Sequence, residues 1–337
     1  QEGDQRMSRI AVIGAGSWGT ALAISLANRG GHDISLWAHS TSHATELRDT
    51  GRNTRYLPGF VVPFGIAISS DLARTIDGAS TILCVTPSQA LRSVMQQIGP
   101  VLNTKQVLLS ASKGIEEKTF LRMSQVISEY APENPTGSLG GPSFAQEVAA
   151  GMPTAITIAI EDAIVGKALQ DAFSSSSLRV YRNEDVIGTE LGGSLKNVIA
   201  LAAGVVAGLD LGNNAAAALM TRGIAEITRL AVACGGRRDT MSGLSGVGDL
   251  ILTCTGGLSR NRTVGFELGK GRKLPDIIAG LNGKVAEGVR STTAALGLAA
   301  RYGVEMPITE QMAAILHHDK APRDAIRELM SRPGRTE

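Results

Sequence analysis

A chain of 337 residues with 43% hydrophobic and 19% charged content is ordinary for a globular protein and long enough for two domains. The formal net charge of +2 supplies no basic field for nucleic acid or an anionic membrane, and 4% aromatic content leaves few stacking platforms for single strands. Cys84, Cys234 and Cys254 lie far apart without CxxC spacing, which supports neither a zinc site nor a disulfide framework and fits a reducing, cytoplasmic setting.

The polar leader QEGDQR before Met7 is read as a disordered lead-in or an added remnant. From Arg9 to about Arg182, short apolar runs alternate with helical patterns: RIAVIGAG, DISLW, STILCV, QVLLSAS, TGSLGG, TAITIAI and LRVY. That alternation is the sequence form of a doubly wound, mostly parallel sheet. After Asp185 the strand signal stops, and residues 186 to 333 carry long Ala/Leu/Ile/Gly stretches such as NNAAAALMTRGIAEITRLAVACGG. The expected organisation is α/β followed by all-α, with domains over 7–186 and 187–333 and no Pro/Ser linker between them. No signal sequence is expected at the start of the chain, and no stretch is expected to supply the ~20 apolar residues of a membrane helix.

In IAVIGAGSWGTALAISLANRG, Gly14, Gly16 and Gly19 have G-x-G-x-x-G spacing directly after a buried strand and at the opening of an Ala/Leu-rich helix. In that context Gly14 permits the tight turn, Gly16 lets the backbone approach a pyrophosphate, and Gly19 lets helix and strand pack closely. The second strand, DISLW, ends at Ala38, His39 and Ser40, without the acidic residue that would accept from the ribose of NAD. NADP use is therefore open alongside NAD, with His39 either a donor to a 2′-phosphate or an ordinary surface residue.

SASKGIE places Lys113 just beyond a strand end, where ligands of open α/β sheets collect. GGPSFAQE places Ser143 at a second such end, with Gly141 either a turn residue or a pocket edge; Ser143 and Gln146 also fit a capping box. In GGSLKNVIALAAG, Lys196 has Gly192, Gly193, Ile199, Ala200 and Ala203 as its helical neighbours. Such small residues leave either a hollow around the amine or room for another element to pack closely, and a lysine can also snorkel to water. In GVGDLILTCTGGLSRNR, Asp249 leads an apolar turn as a candidate N-cap, and Ser259 caps a helix opening with Arg260 and Asn261. Free backbone N–H groups, a guanidinium fork and added side-chain donors suit a phosphate; a capped surface helix is the alternative.

GAGSWGTA, SKGIE, GGPSFAQEVAAGMPTA, ELGGSLKNVIALAAG, GVGDLILTCTGGLSRNR and VAEGVRST occur in this order, and from Arg9 to about Arg332 the chain resembles the bacterial NAD(P)-dependent sn-glycerol-3-phosphate dehydrogenases. The resemblance implies a Rossmann-type domain for NAD(P)H and a helical substrate domain. It implies Lys196 as the acid/base residue, and Lys113, Gly141, Ser143, Lys196, Asp249, Ser259, Arg260 and Asn261 as the substrate lining. Toward the cofactor it implies Gly14, Gly16, Ser17, Trp18, Gly19, His39, Lys113, Ala145, Arg260, Val285 and Glu287; the spacing of KVAEGVRST alone would not single out the last two.

The implied reaction interconverts sn-glycerol 3-phosphate and dihydroxyacetone phosphate by hydride transfer, supplying glycerol 3-phosphate for phospholipid synthesis. Lys196 would give the carbonyl oxygen its proton; burial disfavours its charge, and an Asp249 carboxylate nearby would favour it. Arg260 would orient the three-carbon chain by its phosphate, and no metal is needed. A β-hydroxyacid dehydrogenase, which also joins such domains and uses a helical lysine, and a non-catalytic NAD(P)-sensing protein are the alternatives. Expected partners are a small phosphorylated three-carbon substrate and a second copy of the chain in a homodimer, with neither nucleic acid nor membrane insertion.

Overall fold

The computed structural model describes residues 8–280 and 286–334. Its strands are β1 (Ser8–Ile13), β2 (His32–Trp37), β3 (Arg52–Asn53), β4 (Leu57–Val61), β5 (Ala67–Ser69), β6 (Thr81–Cys84), β7 (Val107–Ser110), β8 (Thr136–Gly140), β9 (Thr154–Ala159) and β10 (Leu178–Asn183). Eight of them form one sheet in the order β10-β9-β8-β7-β6-β1-β2-β5, and β3 and β4 pair separately. The sheet is parallel except where β8 meets β9. Strands such as β1 and β6 read as unbroken apolar runs because helices cover both faces, so Ile10, Val12, Ile13, Ile82 and Leu83 are all buried. The sheet order turns at β1, which has β2 on one side and β6 on the other, and this opens a crevice at the carboxyl ends of the strands.

Two compact units divide the chain. The first holds the sheet and includes Arg122–Val186; the second takes Gly114–Leu121 and everything from Ile187 onward. The sequence pattern suggests one crossing near residue 186, whereas the chain also leaves the sheet unit at Lys113 and returns at Arg122. Nothing periodic marks that eight-residue excursion. The edge strand β5 and the β3–β4 pair also escape the pattern: β3 and β5 are two and three residues long, and β4, LPGFV, is interrupted by a proline and a glycine.

The second unit is helical and is organised around the helix Val186–Gly208, which contributes Leu191, Leu195, Val198, Ile199 and Leu201 to its core. Against expectation, this helix is long and apolar enough to cross a membrane by length and composition, and 94% of its most apolar window is buried inside the protein. Its small residues are contact points with backbone. A Cβ on Gly204 would stand 2.8 Å from Gly265 Cα, and one on Gly208 would stand 3.0 Å from Gly269 Cα; the reverse substitutions collide equally, Gly265 with Gly204 and Gly269 with Gly208. The helix Arg260–Gly269 therefore lies on Val186–Gly208 backbone to backbone, through two glycine pairs spaced by one turn.

Candidate functional site

In the sheet unit, Gly14 follows β1 at φ 128°, a conformation closed to side chains, and a Cβ there would lie 2.6 Å from Val85 O. A Cβ on Gly19 would strike Gly14 O, so the helix Ser17–Arg29 sits hard against the turn. Beside Gly16, by contrast, there is open space within 4 Å, and this residue opens the helix with no side-chain cap. The first-turn N–H groups of Ser17, Trp18 and Gly19 thus face outward at the positive end of a 13-residue helix. Two buried polar atoms near this turn, Trp18 Nε1 and Thr86 Oγ1, have no hydrogen-bond partner among the described residues. Free amides, space at Gly16 and orphaned donors fit a bound pyrophosphate. His39 is exposed just past β2, edge-on to Trp37 with ring centroids 5.6 Å apart, and Ser40 caps the next helix through His43 N.

At two further strand ends of this unit the structure brings Lys113, Gly141 and Ser143 together. Lys113 Nζ donates to Gly141 O at 3.1 Å and reaches Ser143 Oγ at 3.5 Å, and Ser143 Oγ donates to Gly141 O at 3.0 Å. Gly141 turns the chain after β8 at φ 106°. The capping box is not formed: Phe144 is the N-cap of the short helix Ala145–Ala149, with no side-chain cap, and the Ser143 hydroxyl is used on Gly141 instead.

In the helical unit, Lys196 does not snorkel, and at Gly192 the small residue signifies close packing rather than a hollow. A Cβ on Gly192 would lie 2.3 Å from Ser245 O, so the small residue admits close packing of the single π turn Leu244–Gly248. That turn delivers Asp249, whose side chain is 0% exposed, to the Lys196 amine, itself 7% exposed. Asp249 Oδ1 accepts from Lys196 Nζ, and Thr253 Oγ1 accepts a second bond at 2.7 Å. Thr253 Oγ1 in turn donates to Asp249 O at 2.7 Å. Asp249 is the first residue of the helix Asp249–Thr255, not its N-cap, which is Gly248. Thr253 was not singled out by the sequence, although its i+4 spacing from Asp249 places both on one helix face. Cys254 beside them is pushed up to about 12 by burial, with Lys196 and Arg262 acting the other way.

Ser259 caps Arg260–Gly269 as its spacing predicts, accepting from Arg262 N at 3.2 Å. Arg260 at the helix opening is exposed, yet the partial burial of its guanidinium lowers its pKa, opposed by the Glu287 carboxylate. This places Glu287, the first residue of the helix Glu287–Tyr302, in electrostatic reach of Arg260. Asn261 is buried and largely committed: its Nδ2 donates to Asn197 Oδ1 at 3.0 Å and its Oδ1 accepts from Gly288 N at 2.9 Å. One amide hydrogen is left for a ligand, so Asn261 also ties three helices together. Val285 lies outside the described residues.

A doubly wound sheet with a glycine turn at its crevice, and a helical unit holding a buried lysine, have the form of a dinucleotide-dependent oxidoreductase. Residues 9–165 match the family model for the NAD-dependent glycerol-3-phosphate dehydrogenase N-terminus, and residues 185–327 match that for its C-terminus. The chain belongs to the NAD-dependent glycerol-3-phosphate dehydrogenase family. It is 56% identical to a glycerol-3-phosphate dehydrogenase, NAD(P)+, of Acidobacterium capsulatum, across 98% of this chain and 100% of the relative. The namesake from Koribacter versatilis is also 56% identical, covering 98% and 99% of the two chains. The crystal structure of glycerol-3-phosphate dehydrogenase from Coxiella burnetii superposes with a TM-score of 0.92 at 40% identity, over 97% of this chain and 99% of that one.

Proposed function

We propose that the chain interconverts sn-glycerol 3-phosphate and dihydroxyacetone phosphate with NAD(P), and so supplies glycerol 3-phosphate for phospholipid synthesis. The observation that carries this reading is the buried Lys196–Asp249–Thr253 cluster on the same unit as the Ser259–Arg260 helix opening. The dinucleotide supplies a hydride when bound. Residues 7–186 serve it, through Gly14, Gly16, Ser17, Trp18, Gly19, His39 and Ala145, with Lys113, Arg260, Val285 and Glu287 completing its contacts. Residues 187–333 serve the substrate.

In the reducing direction Lys196 holds the proton that goes to the carbonyl oxygen, and in the oxidising direction it receives the proton of the hydroxyl. Asp249 Oδ1 and Thr253 Oγ1 both accept from the ammonium, which orients it. Arg260, the helix-start amides and Asn261 take the phosphate and so fix the three-carbon chain, an orientation effect. Lys113, Gly141 and Ser143 complete the substrate lining. Buried thiols at Cys84 and Cys254 support a reducing, cytoplasmic location. The assembly is a homodimer, for which sedimentation equilibrium would give twice the chain mass.

The test is NAD(P)H oxidation with dihydroxyacetone phosphate against 2-methyl-3-oxopropanoate, the substrate type of the β-hydroxyacid dehydrogenases. Turnover of the phosphate ester alone is expected. Lys196→Ala should lower kcat by about 10² to 10⁴ while fluorescence titration shows dinucleotide binding intact. Wild-type turnover in that variant would remove Lys196 from the chemistry.

A further inference from the structure

The excursion Gly114–Leu121 is closed on itself and belongs to the helical unit. Glu116 N donates to Leu121 O at 3.0 Å, Phe120 N donates to Glu116 O at 2.9 Å, and Thr119 Oγ1 donates to the Glu116 carboxylate. Ile115, at 1% exposure, is part of the helical core. Phe120 adopts φ 58°, a left-handed conformation that a bulky residue keeps only where its surroundings over-determine it. Its ring packs on the helix Glu287–Tyr302. The Phe120 ring fills the place of a side chain at Gly297, where a Cβ would come within 2.2 Å of Cζ, and the Arg301 guanidinium lies 4.7 Å from the ring centroid. Glu117 faces Arg290 at 3.8 Å. Positions 290, 297 and 301 share one face of Glu287–Tyr302, so the excursion is strapped along a single helix face.

We propose that Phe120 and Gly297 form a latch that positions Lys113. One peptide bond joins Lys113 to the strap, and the amine at the other end of its side chain is held by Gly141 O and Ser143 Oγ. Its amine is thus held within its own unit, and its backbone runs directly into the strapped segment. The helix that carries the latch opens at Glu287, and Gly288 N binds Asn261, whose amide binds Asn197 next to Lys196. This inference rests on Lys113 lining the substrate, as the proposed function has it. Phe120 acts through Lys113 and is a positioning residue.

The test is a double-variant cycle on kcat/KM for dihydroxyacetone phosphate, with melting temperature recorded for every protein. Phe120→Ala and Lys113→Ala should each lower kcat/KM, the first by about 10- to 100-fold, the scale on which misplacement of a binding group acts. Combined, they should fall no further than Lys113→Ala alone. Gly297→Ala, which puts a methyl group where the ring lies, should reproduce the Phe120→Ala loss, and Phe120→Leu in the Gly297→Ala background should restore most of it by making room. This rescue keeps the inference testable if Phe120→Ala fails to fold. Multiplying losses in the double variant would mean that the strap acts only on stability and would overturn the latch alone. No loss in Lys113→Ala would overturn the latch together with the role of Lys113.

Discussion

Removing either partner of the Lys196–Asp249 pair should destabilise the helical unit far more than removing both. The two side chains are 7% and 0% exposed, so water can neither screen the pair nor solvate a charge left behind. Breaking such a buried pair by deleting one member costs about 3 to 5 kcal/mol, whereas replacing both by apolar side chains of similar volume is close to neutral. In Asp249→Ala the buried ammonium loses the carboxylate that neutralises it, and Thr253 Oγ1 is a neutral acceptor that cannot replace that charge. For a unit of this size 1 kcal/mol moves the midpoint by roughly 2 to 4 °C, so each single variant should melt about 6 to 20 °C lower. Lys196→Met combined with Asp249→Leu should return to within a few degrees of the wild type while being inactive. Circular dichroism melts of the full chain, read beside NAD(P)H oxidation, give both quantities. If the single-variant losses simply add in the double variant, the two groups are not coupled as an ion pair, and the derivation from their burial is wrong.

Arg260→Lys keeps the charge but loses the planar fork, and should cost about 1.5 to 3 kcal/mol, roughly 10- to 150-fold in kcat/KM for dihydroxyacetone phosphate. Unphosphorylated dihydroxyacetone should be a very poor substrate whose rate changes far less; equal slowing of both would move the phosphate site away from Arg260. NADPH should be accepted, because nothing acidic follows β2, and a preference for NADH above about 100-fold, or ~2.7 kcal/mol, would refute that. Glu226 is buried and accepts from Ile308 N, Thr309 N and Thr309 Oγ1 at the start of the helix Pro307–His317, so Glu226→Ala should lower the melting temperature. Burial raises the Glu226 pKa against the pull of those donors, so the folded state binds the proton more tightly than the unfolded one. Its contribution to stability therefore grows as pH falls toward the ordinary carboxylate range, and the melting gap between wild type and Glu226→Ala should be wider at pH 5 than at pH 8. A gap that narrows on acidification would contradict this.

The glycine turn was legible because part of its cause is local: Gly14 adopts φ 128°, and a Cβ on Gly19 would strike Gly14 O five residues earlier in the chain. Ser259 was legible as a cap for a similar, local reason. What escaped depends on partners distant in the chain. Gly192 beside Lys196 could signify a hollow or close packing, and only the arrival of Ser245 and Gly246 decides for packing there. Asp249 has the position of an N-cap, but a lysine 53 residues earlier claims its carboxylate. Ser143 has the spacing of a capping box, and its hydroxyl turns to Gly141 instead. The excursion after Lys113 carries neither a strand nor a helix period, so its membership in the helical unit leaves no mark in the sequence.

The paired glycines between Val186–Gly208 and Arg260–Gly269 bear on how such a protein can change its substrate. Side chains between two helices can be resized one at a time, and each replacement shifts the spacing a little. Here main chain touches main chain, and no smaller residue exists to substitute. On the proposed reading, one helix carries the amine that meets the reacting oxygen and the other opens at the phosphate, so their separation works as a caliper for the length of the molecule between. A longer phosphate ester cannot be admitted by a gradual series of substitutions along that seam. Evolution or design would have to work at the open ends of the helices, or abandon the seam altogether.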